Sequence, residues 1–201
     1  MTSKRQEIIE AAAGLMESNG YENTKLSDIL EASGAGKGQF YYYFSSKRDL
    51  GLAVIDYFFA AFKRELLGGI LGSKGDPETR LNEMLEWIIS FHQSRQAKCG
   101  CVFGNLALEM SEHDEEFRQK VNEVFKVWAD RLGSVLEEML EISGSANPIE
   151  AGQLAQTIVA MIEGGILLMK NNQDIEILRD MIKWIRYLVG TYASENAIPL
   201  K

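Results

Sequence analysis

The chain has 201 residues, 46% of them apolar and 25% charged, which is room for one ordinary domain or two small ones around a sizeable core. Three prolines against eighteen glycines, with no low-complexity run, argue against a disordered tail or a collagen-like repeat. A net charge of −8 excludes a globally basic nucleic-acid binder, yet residues 1–50 carry six basic groups (Lys4, Arg5, Lys25, Lys37, Lys47, Arg48) against seven acidic ones, which allows a local basic edge.

The pattern predicts helices throughout. Ser3 with Gln6 forms a capping box, and Ile8, Ile9, Ala12, Leu15 and Met16 keep one helical face apolar as far as Asn19-Gly20. Thr24 is expected to cap a short second helix, with Leu26, Ile29 and Leu30 inward and Ser33-Gly34 at its end. A turn through Ala35-Gly36 leads to a third helix, Lys37 to Tyr43. Ser46 with Asp49 opens a long helix to about Leu67, before Gly68-Gly69. Asp76-Pro77 starts the fifth; Ser111 with Asp114, and Asn147 before Pro148, start two more. A last helix, about Asp174 to Ala193, lines up Leu178, Met181, Ile182, Ile185, Leu188 and Val189. No segment shows the two-residue alternation of a half-buried strand, so the expected fold is all-α with eight or nine helices.

The remaining composition narrows the chemistry. No apolar run approaches the roughly 20 residues of a membrane span, since Ile158 to Met169 is interrupted by Glu163 and two glycines. The start Met1-Thr2-Ser3-Lys4-Arg5 enters a helical pattern rather than an apolar leader, so a water-soluble, cytoplasmic protein is expected. Cys99 and Cys101 are too few for a disulfide scaffold or a four-ligand zinc site, and His92 and His113 are the only histidines. No metal or cofactor is expected. One intervening residue strains a bridge between the cysteines, and a redox role for them stays open. No nucleophile–base set, carboxylate pair or phosphate-cradling loop stands out, so no catalytic residue is assigned. Gly36-Lys37-Gly38 lacks the spacing and preceding strand of a P-loop.

Residues 24–49 carry the functional signal. Two short helices joined by a glycine turn form a helix-turn-helix, whose second helix lies in the major groove. Lys37, Gly38 and Gln39 open that helix, where side chains meet base edges and backbone amides face phosphate. Gly38 has no side chain to hold the helix off the DNA, and Tyr41, Tyr42 and Tyr43 offer hydroxyls to phosphate. Phe40 and Phe44, four apart, share a core face. Lys47 lies in the first turn of the next helix, where a cation opposes the helix dipole and an external anion would compensate. Short helices around a glycine turn are also common in all-α proteins, and aromatic runs are usually core.

The stretch from Thr24 to Leu50 closely resembles the signature of the tetracycline-repressor (TetR) family of bacterial transcriptional regulators, through Thr24, Ile29, Gly34, Lys37, Gly38, Tyr41, Tyr43, Phe44, Ser46, Lys47 and Leu50. The likeness is strong over about residues 4–55 and weaker beyond. Gly36 stands where the family usually has Ser, and Ser33 and Ala35 stand for Ala and Val. Gln39 replaces a frequent Thr and can pair bidentately with adenine. The candidate DNA-binding residues are Thr24, Lys25, Gly36, Lys37, Gly38, Gln39, Tyr41, Tyr42, Tyr43 and Lys47.

The resemblance implies a DNA-binding domain over residues 1–50, a linking helix over about 46–67, and an effector-binding and dimerisation domain over 68–201. It further implies a homodimer on a pseudo-palindromic operator, and a repressor released by a small effector. The segment from Cys101 to Glu109 also looks like a pattern of one branch of the family. The last two long helices would pair across a two-fold axis through Gly152, Ala155, Ile158, Ile162, Gly165, Ile166, Met181, Ile185 and Leu188, the small residues allowing close approach. Effector candidates are Trp87, Phe91, His92, Cys101, Phe103, Asn105, Met110, Phe125, Trp128, Met161 and Met169, a set suited to an apolar or aromatic ligand. The alternative is an all-α enzyme or small-molecule-binding module that keeps the fold without regulating transcription.

Overall fold

The computed structural model describes residues 3–144 and 149–194. Among them are nine α-helices, α1 (Lys4–Asn19), α2 (Leu26–Ser33), α3 (Lys37–Tyr43), α4 (Lys47–Phe62), α5 (Pro77–Ser94), α6 (Val102–Met110), α7 (Glu115–Ser143), α8 (Ala151–Asn172) and α9 (Ile175–Tyr192), and no strand. The local signals that start the helices are satisfied side chains. Ser3 Oγ accepts the Gln6 N–H, Asp76 the Thr79 N–H ahead of Pro77, and Asp174 the Glu176 N–H. The helix start expected at Asn147-Pro148 lies outside the described residues.

Three local expectations change. Thr24 does not cap α2: Lys25 holds the N-cap position, and the Thr24 hydroxyl instead donates to the Gly20 carbonyl at 2.7 Å. Ser111 closes α6, and the Asp114 carboxylate accepts the Glu116 and Phe117 N–H groups at the start of α7. Gly68-Gly69 does not stop α4, which continues as a π-helix over Lys63–Ile70. Leu66, Leu67 and Leu71 are buried there, and the wider turn keeps them inward. A Cβ on Gly68 would stand 3.2 Å from the Lys63 carbonyl oxygen, and one on Gly69 would stand 3.0 Å from that of Arg64. Both carbonyls belong to the residue five back, so the glycine pair permits the π ladder.

Two compact units are distinguishable. One is built from the chain up to Phe62 together with Cys101–Val124, the other from Lys63–Gly100 and from Phe125 onward. The first therefore takes in α6 and the start of α7 as well as the first four helices. Its core gathers Ile8, Ile9, Ala12 and Met16 of α1 with Ile29, Phe40, Phe44, Leu50 and Val54. Phe117 of α7 joins this unit, its ring edge-on to Tyr21 at 5.1 Å. Gly51 of α4 makes room for that pair: a Cβ there would fall 2.6 Å from Tyr21 and 2.7 Å from Phe117.

In the second unit α8 packs along α9, and α9 also meets α5. Leu154, Ala155, Ile158, Ile162, Ile166 and Met169 of α8 and Leu178, Ile182, Ile185 and Val189 of α9 are buried within the single chain. Ala155, Ile158, Ile162, Gly165, Ile166 and Ile185, all expected at the dimer face, are buried in this way. Gly165 brings α8 against its own α9, since a Cβ there would lie 3.2 Å from Met181 Cγ and 3.3 Å from Leu178 Cδ1. The small residue serves packing inside the chain. Of the expected set, Gly152 is exposed and Met181 and Leu188 are half-buried. The open faces of the two helices carry large apolar side chains instead: Leu167, Leu168, Trp184 and Tyr187 are each at least half exposed. By length and apolar content alone α8 is also long enough to cross a membrane, but its inward stripe is spent on α9.

Candidate nucleic-acid interface

The helix-turn-helix forms because each of its residues solves a local problem. Gly34 ends α2 in the left-handed conformation, φ 60°, ψ 24°, and the Ala35 N–H closes the turn on the Leu30 carbonyl at 3.1 Å. Ala35 is buried beneath the turn, and Phe40 and Phe44 anchor α3 from below with ring centroids 5.8 Å apart. The Arg5 guanidinium lies 5.1 Å from the centroid of Phe44, which ties α1 to the same anchor.

With one face of α3 anchored, the other is open. Gly36, Lys37, Gly38, Gln39, Tyr41 and Tyr42 are exposed, as is Lys25 at the start of α2. Tyr42 is 81% exposed, an unusual position for a ring with nothing to cover it. Tyr43 is half-buried and meets the Tyr42 ring edge-on at 4.8 Å. Nothing lies within 4 Å of a Cβ built on Gly36 or Gly38, so packing inside the protein requires neither glycine.

Two further candidates are less exposed than these. Thr24 has no exposed area and its hydroxyl donates to the Gly20 carbonyl, so it braces the loop ahead of α2. Lys47 is half-buried: its Nζ donates to the Glu22 carbonyl at 3.2 Å and sits 4.4 Å from the centroid of Tyr21. The unfavourable cation at this helix start is thus compensated from inside the protein.

The motif is braced by residues far away in sequence. Arg48 in the first turn of α4 forms a two-pronged pair with Asp114, through Nε at 2.5 Å and Nη2 at 2.9 Å, and reaches Glu116 at 2.8 Å. Those bonds raise the Arg48 pKa, and Arg48 in turn holds Asp114 below the usual carboxylate range. Glu109 of α6 accepts the Glu22 N–H at 2.9 Å, and Lys120 pairs with Asp56 at 2.5 Å. Burial, followed by the charge of Glu22, raises the Tyr21 pKa. These braces carry no local signal: only the cluster Asp114-Glu115-Glu116 hints at a helix start, and nothing in it points to Arg48.

The effector candidates divide between the units. In the first, Phe103 packs edge-on to Phe59 and Phe62 at 6.5 and 5.8 Å, two partners that sequence reasoning missed. Met110 is buried, Asn105 is half-buried, and Cys101 is the N-cap of α6. In the second, Trp87 stacks on Phe91 at 5.3 Å, and the Arg95 guanidinium covers Phe91 at 3.7 Å. His92 is buried; taken as donor, its Nδ1–H reaches the Cys99 carbonyl at 3.1 Å, and burial lowers its pKa to about 4. Trp128 and Met169 are buried, while Phe125 and Met161 are half-buried.

Known proteins share both parts of this architecture. Residues 8–54 match the tetR family of bacterial regulatory proteins, and residues 77–183 match the C-terminal domain of LmrA/YxaF-like transcriptional regulators. An uncharacterised HTH-type transcriptional regulator in the lacX 3′ region of Lactococcus lactis subsp. lactis is 36% identical over 186 residues, 91% of this chain and 93% of that one. The HTH-type transcriptional repressor DhaR of Mycobacterium sp. strain GP1 is 27% identical over 177 residues, 88% of this chain and 87% of that one. The crystal structure of a regulatory protein TetR from Rhodobacter sphaeroides matches with a TM-score of 0.82 at 26% identity, over 90% of this chain and 95% of that one.

Proposed function

Given that the chain belongs to the TetR family of bacterial transcriptional regulators and is a DNA-binding regulator rather than an enzyme, we propose that it is a cytoplasmic, homodimeric repressor of a pseudo-palindromic operator. The observation that carries this reading is the open face of α3. Lys37, Gly38, Gln39, Tyr41 and Tyr42 are all exposed on a helix whose opposite side is locked by Phe40 and Phe44. Lys25 and Lys37 supply phosphate contacts, Tyr41 and Tyr42 supply hydroxyls, and Gln39 supplies a base contact. Tyr43 and Lys47 flank this surface, and Gly36 and Gly38 let it come close.

The apolar faces of α8 and α9 support pairing of two copies through Leu167, Leu168, Trp184 and Tyr187, with Gly152, Met181 and Leu188 alongside. Two copies related by a two-fold axis read two half-sites, hence the pseudo-palindrome. The aromatic and methionine side chains of α5 to α8 support a small apolar or aromatic effector that favours one state over the other. Fluorescence anisotropy with DNA from upstream of the protein's own gene, against a scrambled duplex, tests the reading. Tighter binding to the upstream DNA by about a thousandfold or more is expected. Equal affinity for both duplexes at every salt concentration would refute specific regulation from that site.

A further inference from the structure

The backbone of Glu22 is held at both of its polar groups, by side chains of opposite charge. Glu109 Oε2, near the end of α6, accepts the Glu22 N–H at 2.9 Å, and Lys47 Nζ, in the first turn of α4, donates to the Glu22 carbonyl at 3.2 Å. A carboxylate on a donor and an ammonium on an acceptor are both charge-assisted bonds, the stronger kind. The seat of the carboxylate is built into the loop. Gly20 follows α1 at φ 82°, a backbone that favours glycine, and a Cβ there would fall 2.6 Å from Glu109 Oε1. Thr24 returns its hydroxyl to the Gly20 carbonyl, so the loop from Gly20 to Thr24 is closed on itself and gripped from α4 and α6. All of these residues belong to the first unit. The next residue, Lys25, is the exposed N-cap of α2.

We propose that Glu109 is a positioning residue for DNA binding, fixing the loop that delivers Lys25 to a phosphate of the duplex. This rests on the reading of Lys25 as a phosphate contact. Glu109 carries the same sign of charge as DNA, so it acts through the loop and not by touching the duplex. With the Glu22 N–H released, Lys25 starts from a looser loop, and each binding event has to order it. A phosphate contact carries no sequence information, so the loss falls alike on every duplex.

Anisotropy titrations of the full-length protein across a salt series test this, on a duplex it selects from a randomised pool and on a scrambled one. Glu109→Gln keeps an oxygen for the Glu22 N–H, whereas Glu109→Met has a similar length and no oxygen. Both remove one negative charge, so the gap between them reads the hydrogen bond. Glu109→Met should bind both duplexes about fivefold more weakly than Glu109→Gln. Its salt slope should fall toward that of Lys25→Ala, with base preference unchanged. In a Lys25→Ala background the gap should close. Glu109→Ala, which leaves the seat beside Gly20 empty, replaces Glu109→Met if the methionine variant melts below the assay temperature. Equal binding by the two Glu109 variants would overturn the proposal. So would a gap of the same size without Lys25, which would mark Glu109 as a brace of the fold alone. Failure of the parent to enrich any sequence, or a Lys25→Ala protein that binds as the parent does, would instead overturn the DNA contact of Lys25, and this inference with it.

Discussion

Replacing Gly38 by alanine should make the protein more stable and a poorer DNA binder at once. Glycine within a helix costs roughly 0.5–1 kcal/mol relative to alanine, because it loses more backbone freedom on folding. Nothing in the structure offsets this: the space beyond the Cα is empty to 4 Å, so an added methyl meets no neighbour. Gly38 is the second residue of α3, where the penalty sits at the lower end, and a rise of about 0.5 kcal/mol corresponds to roughly 1–2 °C in Tm for a chain of this size. On DNA the same methyl stands between the helix and the duplex. If it costs about 1 kcal/mol per half-site, two half-sites lose about 2 kcal/mol, or roughly thirtyfold in affinity. Thermal melts and anisotropy titrations on one preparation read both quantities. An alanine variant that bound the operator as tightly as the parent would mean that α3 does not approach DNA by this end. A variant with a lower Tm would mean that the glycine serves the fold.

Three further outcomes follow from the geometry. Lys47→Met should lower the melting temperature by removing the Glu22 and Tyr21 contacts, worth about 0.5–1 kcal/mol, and should leave base preference unchanged; a shifted preference in operator-variant titrations would contradict the internal role of the amine. Trp184→Glu or Tyr187→Glu should yield folded monomers in light scattering, whereas Ile166→Glu should unfold the chain, because Ile166 is only 4% exposed; a folded, monomeric Ile166→Glu protein would restore that residue to the dimer face. His92, with a folded pKa near 4 against 6.5 when unfolded, binds fewer protons in the native state. Its contribution, roughly 3 kcal/mol, is complete above pH 6.5 and is lost as pH falls toward 4, so the urea midpoint should drop over that window in the parent and less steeply in His92→Asn. Parallel profiles would exclude the histidine as the cause.

Helix starts were the most legible part of the chain because caps are written within four residues: Ser3 with Gln6, Asp76 before Pro77, Asp174 before Ile175. The open face of α3 was legible for a similar reason, since Phe40 and Phe44 fix which side of the helix is core and leave Lys37, Gly38 and Gln39 outside. Competing local bonds defeated the same logic elsewhere. Thr24 found the Gly20 carbonyl instead of its own helix, and Asp114 outcompeted Ser111 for the α7 amides. The outward stripe of α8 was illegible because the helix is apolar on several sides. Ile166 and Leu167 are neighbours of like hydrophobicity, and only packing on α9 decides that the first is buried and the second open.

The bracing of the first unit bears on how the chain is made. Arg48 finds Asp114 only 66 residues later, and the Glu22 amide finds Glu109 87 residues later. During synthesis the first three helices emerge early, but Tyr21 and Gly51 have no Phe117 to close on until more than half of the chain has been translated. At roughly 5–20 residues per second that is a wait of several seconds, with the aromatic side of α4 uncovered. This unit therefore ripens from the middle of its message, and a polypeptide cut after Phe62 would carry α1 to α4 without the α6 and α7 residues that complete the unit.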